Sequence, residues 1–262
     1  MTGFRSGRVA LGLVAASALL AGCAGAAGAS SGATESSSKE TLTVFAAASL
    51  TTTFTELADR FETANPGVTV AVNFAGSADL VTQIREGAPA DVFAAADATT
   101  MAGLSRDGLV DGTPAVFATN TLMIAVPADN PAGISSFADL AAPNVDVVVC
   151  APQVPCGGAL PALEAATGVT LAPVSEENAV TDVLGKITSG QADAGLVYVT
   201  DVAAAGDMVL GIPVPEADRA VNEYPIAVVA GSEQSRLGAS FARFVTGATG
   251  QRVLGAAGFG AP

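Results

Sequence analysis

The chain is 262 residues long, half hydrophobic and 14% charged, which gives it length for two modest domains with real cores and excludes a wholly disordered chain. Eleven Lys and Arg face 25 Asp and Glu, a formal charge of -14 that is the wrong sign for a nucleic-acid binder. Histidine is absent, and with it go the Ser-His-Asp and Cys-His nucleophilic arrangements and the His-bearing zinc sites.

Residues 1–22 read as an export signal. Arg5 and Arg8 precede an apolar run from Val9 to Leu20, too short for the ~20 residues that span a bilayer. The ending Leu20-Ala21-Gly22-Cys23 resembles the bacterial lipobox, in which Cys23 becomes the first mature residue and carries diacylglycerol. The competing reading is a plain signal peptide with an incidental cysteine. Residues 23–40 lack large apolar side chains and are expected to be a flexible tether. Removal of Arg5 and Arg8 leaves 9 basic against 25 acidic residues, a formal charge of -16.

Beyond the tether, short β-branched runs alternate with helical stretches. Leu42 to Phe45 reads as a strand, and Leu50, Phe54, Leu57 and Phe61 mark one face of a helix. Val68 to Phe74 is a second strand, Leu80, Val81 and Ile84 a second helix, and Asp91 to Ala94 a short third strand after Gly87 and Pro89. This βαβαβ rhythm predicts a parallel sheet with helices on its faces. A second set follows Thr121 to Val126. It comprises a strand at Val145 to Val149, helices from about Ala159 and Ala179, and a strand at Ala194 to Val199. Extended runs follow at Leu210 to Val214 and Tyr224 to Ala230, and helical patterns at Gln234 to Val245 and Gly250 to Ala257.

Two α/β units imply two lobes, with the extended runs near 115–127 and 222–230 as crossovers. The first lobe is then expected to be 41–120 plus 225–262, and the second 121–224. Such a clamp can bury a ligand by hinge closure. Cys150 and Cys156, six positions apart in an exported chain, are expected to close a disulfide. Two free thiols or a redox pair is the competing reading, weakened because the spacing is not C-x-x-C.

Ligands of open α/β sheets bind beyond the carboxyl ends of the strands, where helix N-termini point. Four junctions of this kind stand out: Ala46-Ala47-Ala48-Ser49, Ala75-Gly76-Ser77, Pro155-Cys156-Gly157-Gly158 and Glu177-Asn178-Ala179. Helix capping by Ser49, Ser77 and Asn178 would account for each singly. Together they would make an anion site of free amides and positive helix ends. Tyr198, at a strand's carboxyl end, could add a phenolic donor or be a core residue. Gly185-Lys186 lacks the rest of a phosphate loop, and Gly157-Gly158 reads as close packing or an anion-facing turn.

Thr43 to Leu50 (TVFAAASL), Phe74 to Ser77 (FAGS) and Gly87 to Asp97 (GAPADVFAAAD) together resemble the periplasmic molybdate-binding receptors of ABC importers. So do Leu196-Val197-Tyr198 followed by Asp201, and Glu223 to Val229. The resemblance runs through 41–262 in order. It implies a bilobed type II periplasmic-binding-protein fold, two α/β lobes with mixed sheets joined by two crossover segments. It also implies capture of molybdate or tungstate by uncharged donors, through the oxyanion's oxygens and with no direct metal ligand. Mapped onto this chain, the hydroxyls of Ser49, Ser77 and Tyr198 and the amides of Cys156 and Ala179 would hold the anion, with the amides of Ser49 and Ser77 adding theirs. Cys156 departs from a frequent alanine, and Gly76 stands where some relatives have a serine, so an accessory hydroxyl is expected to be missing.

The resemblance further implies a monomeric, non-enzymatic receptor without a cofactor. It would hand its ligand to a permease and ATPase, either periplasmic or anchored by lipid to the outer face of the cytoplasmic membrane. Rival readings are a receptor for sulfate, phosphate or iron, an exported hydrolase using Ser49 or Cys156, and a scaffold module. Two tyrosines and no histidine make iron poor. A hydrolase would need Lys186 or a carboxylate as its base.

Overall fold

The computed structural model describes residues 40–262. The predicted signal at 1–22, lipidated Cys23 and most of the tether lie outside the described residues. Glu40, assigned to the tether, is the first residue of a strand.

The first sheet gathers β1 (Glu40–Ala47), β2 (Val68–Ala75), β3 (Val92–Ala94), β4 (Val110–Asn120) and, from far along the chain, β10 (Asn222–Val229), in the order β2-β1-β3-β10-β4. Its first three strands are parallel, as the βαβαβ pattern predicts. β10 and β4 run antiparallel to their neighbours, so the sheet is mixed. Those two strands carry the chain into and out of the second lobe, which explains their opposite sense. The helices are α1 (Thr51–Ala64), α2 (Ser77–Arg85) and α3 (Ala98–Arg106).

The second sheet takes β5 (Leu122–Pro127), β6 (Val147–Cys150), β7 (Ser175–Glu177), β8 (Ala194–Tyr198) and β9 (Val209–Ile212), in the order β7-β6-β8-β5-β9. β6 is parallel to β7 and β8, whereas β5 is antiparallel to β8 and β9. Its helices are α4 (Pro155–Gly158), α5 (Leu160–Thr167), α6 (Val180–Thr188) and α7 (Val199–Ala205). The chain crosses between sheets at Thr121 and again just before β10, which begins at Asn222 rather than 225.

The last helices, α8 (Ser235–Thr246) and α9 (Ala248–Ala256), return to the first lobe. Phe241 of α8 meets Phe61 and Phe54 of α1 edge-on, with ring centroids 5.2 and 6.1 Å apart. Phe117 of β4 and Tyr224 of β10 continue the cluster. Each such pair adds about 0.5–1.5 kcal/mol beyond area burial. The Leu50, Phe54, Leu57, Phe61 stripe is fully buried, confirming its helical period. The same cluster reaches the second lobe, since Tyr224 also meets Tyr198 at 5.9 Å.

Candidate functional site

Six segments converge where the sheets face one another, each leaving the carboxyl end of a strand. From the first lobe come Ala47-Ala48-Ser49 after β1, Gly76-Ser77 after β2 and Ala96 after β3. The second lobe contributes Val154-Pro155-Cys156 after β6, Ala179-Val180 after β7 and Tyr198 at the end of β8. They line a small cavity between the lobes. All five residues proposed as ligands from the sequence, Ser49, Ser77, Cys156, Ala179 and Tyr198, line it. The lining holds no charged side chain.

Capping does not account for these hydroxyls. Gly76 is the N-cap of α2 and Ala179 that of α6, and neither helix has a side-chain cap. Ser49 sits in a single 3-10 turn before α1, also uncapped. The first-turn amides of Ser77 and Cys156 have no intrahelical acceptor. Among the described residues the Ala179 amide has none either. Asp97, which accepts from the Thr100 amide at 2.8 Å, shows that this chain does cap a helix by side chain elsewhere.

Two of the three hydroxyls have their proton free to donate. Ser77 Oγ accepts from the Ala96 amide at 3.1 Å, which leaves its own proton free to donate. Ser49 Oγ lies 3.0 Å from Tyr224 Oη, and either can be the donor. Behind Tyr224, Asn120 Nδ2 donates to Thr200 Oγ1 at 2.8 Å. Tyr198 is buried, and its hydroxyl has no partner among the described residues. Burial, the neighbouring Tyr224 and the Asp201 carboxylate all push the Tyr198 phenol well above its ordinary range, so it stays a donor. Asp201 accepts from the Tyr198 amide at 2.9 Å. Its own burial pushes its pKa up to about 7, against the opposing pull of that bond.

Contacts within the second lobe hold the amides in place. Cys150 and Cys156 are joined by a disulfide in this structure, the pairing expected from the sequence. Gly157 packs so tightly on the Cys150 and Ala151 carbonyls that a Cβ there would collide with both, which confirms the close-packing reading. Next to this loop the Ala151 amide donates to the Glu177 carbonyl at 2.9 Å. The Lys186–Glu177 ion pair, joined by Ser175 Oγ, ties α6 to β7 and holds the Glu177 carboxyl below its usual range.

Gly76 has a role the sequence did not reveal. A Cβ at this position would strike the carbonyl of Asn178 in the opposite lobe. The residue expected only to lack an accessory hydroxyl is where the two lobes touch backbone to backbone.

The sequence matches the bacterial extracellular solute-binding protein family over residues 42–260. The chain belongs to that family. This solute-binding protein is 47% identical over 261 residues to the molybdate-binding protein ModA of Mycobacterium tuberculosis, covering 100% of this chain and 97% of the relative. Its fold is similar to the periplasmic molybdate-binding protein of Azotobacter vinelandii, with a TM-score of 0.74 at 22% identity over 84% of this chain and 99% of that one. It is also similar to the sulfate-binding protein SubI of M. tuberculosis, with a TM-score of 0.70 at 23% identity over 84% and 86% of the two chains. Fold likeness therefore supports the bilobed architecture without distinguishing one oxyanion from another.

The sequence reading missed Asn222, Ala96 and Tyr224. None touches a ligand in the scheme above: Ala96 bonds Ser77, Tyr224 bonds Ser49, and Asn222 bonds the carbonyls of Pro155 and Ala96.

Proposed function

We propose that the protein is a solute receptor that captures molybdate, and tungstate equally, between its lobes and delivers it to an ABC importer. The observation that carries this reading is a cavity lined by hydroxyls and uncapped helix amides with no charged side chain. The 47% identical relative described as molybdate-binding supports the choice of ligand.

A doubly negative tetrahedral anion with no protons to give needs donors and no acceptors. Ser49, Ser77 and Tyr198 would supply hydroxyls, and Ser49, Ser77, Cys156 and Ala179 backbone amides. Charge-assisted bonds contribute about 1.5–3 kcal/mol each in a closed site, so five to seven of them outweigh dehydration and closure. A positive side chain is unnecessary, and its absence lets the anion leave when the lobes part. Sulfate is smaller and would make longer, poorer bonds in the same cage. Phosphate carries a proton at neutral pH and would find no ionised acceptor lining the cavity. Lipid on Cys23 would keep the monomeric receptor near the permease, with the cage borne jointly by the two lobes.

Isothermal titration of the purified chain with molybdate, tungstate, sulfate and phosphate tests this. The expected result is similar micromolar or tighter binding of the first two and at least tenfold weaker binding of the others. Sulfate binding as tight as molybdate would make this a sulfate receptor instead.

A further inference from the structure

The Cys156 amide is useful to an anion only if its peptide plane is turned the right way. Its flanks are fixed by the disulfide at Cys156 and by the close packing of Gly157 on the Cys150 and Ala151 carbonyls. Pro155 contributes a restricted φ and no N–H of its own. The rotation of the Pro155–Cys156 peptide plane still has to be set. Asn222 sets it. This residue opens β10 beside Asn120 of β4, where the two crossover strands lie paired, and it is 6% exposed. Its Nδ2 donates to Pro155 O at 3.1 Å and to Ala96 O at 3.1 Å.

Those carbonyls belong to opposite lobes. Turning the amide over would set its oxygen against both and leave its two protons without acceptors, so the orientation is fixed by chemistry. In a planar trans peptide the carbonyl and the following N–H point in opposite directions. With Pro155 O held toward Asn222, the Cys156 N–H faces away from it, to the side on which Cys156 lines the cavity. The second bond acts on the other lobe. Ala96, whose carbonyl Asn222 holds, gives its amide to Ser77 Oγ, the acceptor role that frees the serine proton for a ligand. Asn222 does not itself line the cavity.

We propose that Asn222 is a positioning residue that latches the closed lobes together and aims the Cys156 amide and, through Ala96, the Ser77 hydroxyl at the bound oxyanion. This rests on the oxyanion reading above. Because the latch spans the lobes only when they are closed, its loss should speed ligand release and leave the encounter with the open form unchanged.

The test compares the full-length wild type with Asn222→Ala and the isosteric Asn222→Asp by stopped-flow mixing with molybdate. Tyrosine fluorescence serves as the signal, since the chain has two tyrosines and no tryptophan. Both variants are expected to bind on the order of tenfold more weakly, with the change in the dissociation rate and the association rate within about twofold. The aspartate variant, which keeps the volume and loses the donors, carries the test if the alanine variant fails to fold. Unchanged dissociation in a folded variant, or a loss confined to association, overturns the latch alone. A wild type that binds none of molybdate, tungstate, sulfate or phosphate overturns the oxyanion reading and the latch with it.

Discussion

Asp201 sits directly beneath the donor set, bonded to the amide of Tyr198. A buried carboxylate with a pKa pushed up to about 7 favours its neutral form in the folded protein, while an unfolded aspartate titrates near 3.8. Between those values the folded state holds a proton that the unfolded state has lost. Stability from this group is therefore full below about 4 and declines as pH rises toward 7. A bound dianion strengthens the same preference. Molybdate affinity is expected to fall between pH 6 and pH 8, by no more than one proton's worth, or ~tenfold per pH unit. Asp201→Asn keeps an acceptor for the Tyr198 amide and should flatten that profile. Titrations at a series of pH values check it, and an equally sloped profile in the variant would assign the dependence to another group.

At the scale of elements, the loop between β6 and α4 shows how a small feature can serve a distant end. The disulfide closes a loop of six residues' separation, worth about 2 kcal/mol by chain entropy. Replacing both cysteines by alanine should lower unfolding stability by about that amount in guanidinium titration and weaken molybdate binding several-fold, because the Cys156 amide loses one of its supports. Stability lost with affinity intact would show that the amide is held without the bridge.

Elements with a strong period were legible in advance. The α1 stripe and α8 bury apolar residues at helical spacing, and β1 and β8 are nearly continuous buried apolar runs, both of which the sequence shows. The pattern of β7 (Ser-Glu-Glu) is invisible because an edge strand of three polar residues is defined by its partner β6. α3 buries only Met101 and Leu104, and α7 is a short Ala-rich turn of helix, so neither offers a face to count. The first half of β4, with Gly112 and Pro114, is mostly exposed. The donor residues were legible because small residues and hydroxyls cluster after strands. Asn222 and the Gly76–Asn178 contact were not, since both depend on which segments closure brings together.

For the whole molecule, closure is limited by backbone as well as by ligand. Gly76 meets the Asn178 carbonyl across the cleft, while Asn120, Tyr224 and Asn222 gather where the two crossover strands pair. Gly76→Ala puts a methyl group into that contact. It should hold the lobes apart, reduce molybdate affinity by tenfold or more and blunt the ligand-induced compaction seen in solution scattering. Full compaction in the variant would mean that the lobes close along another path.

The cage of neutral donors is tested most directly by a crystal structure grown with molybdate, using anomalous scattering at the molybdenum edge to place the metal. The predicted peak lies inside the cavity between Ser49, Ser77, Cys156, Ala179 and Tyr198, its oxygens within about 2.7–3.1 Å of the hydroxyls and amides. A peak on the surface, or one held by a lysine or arginine, would contradict the account.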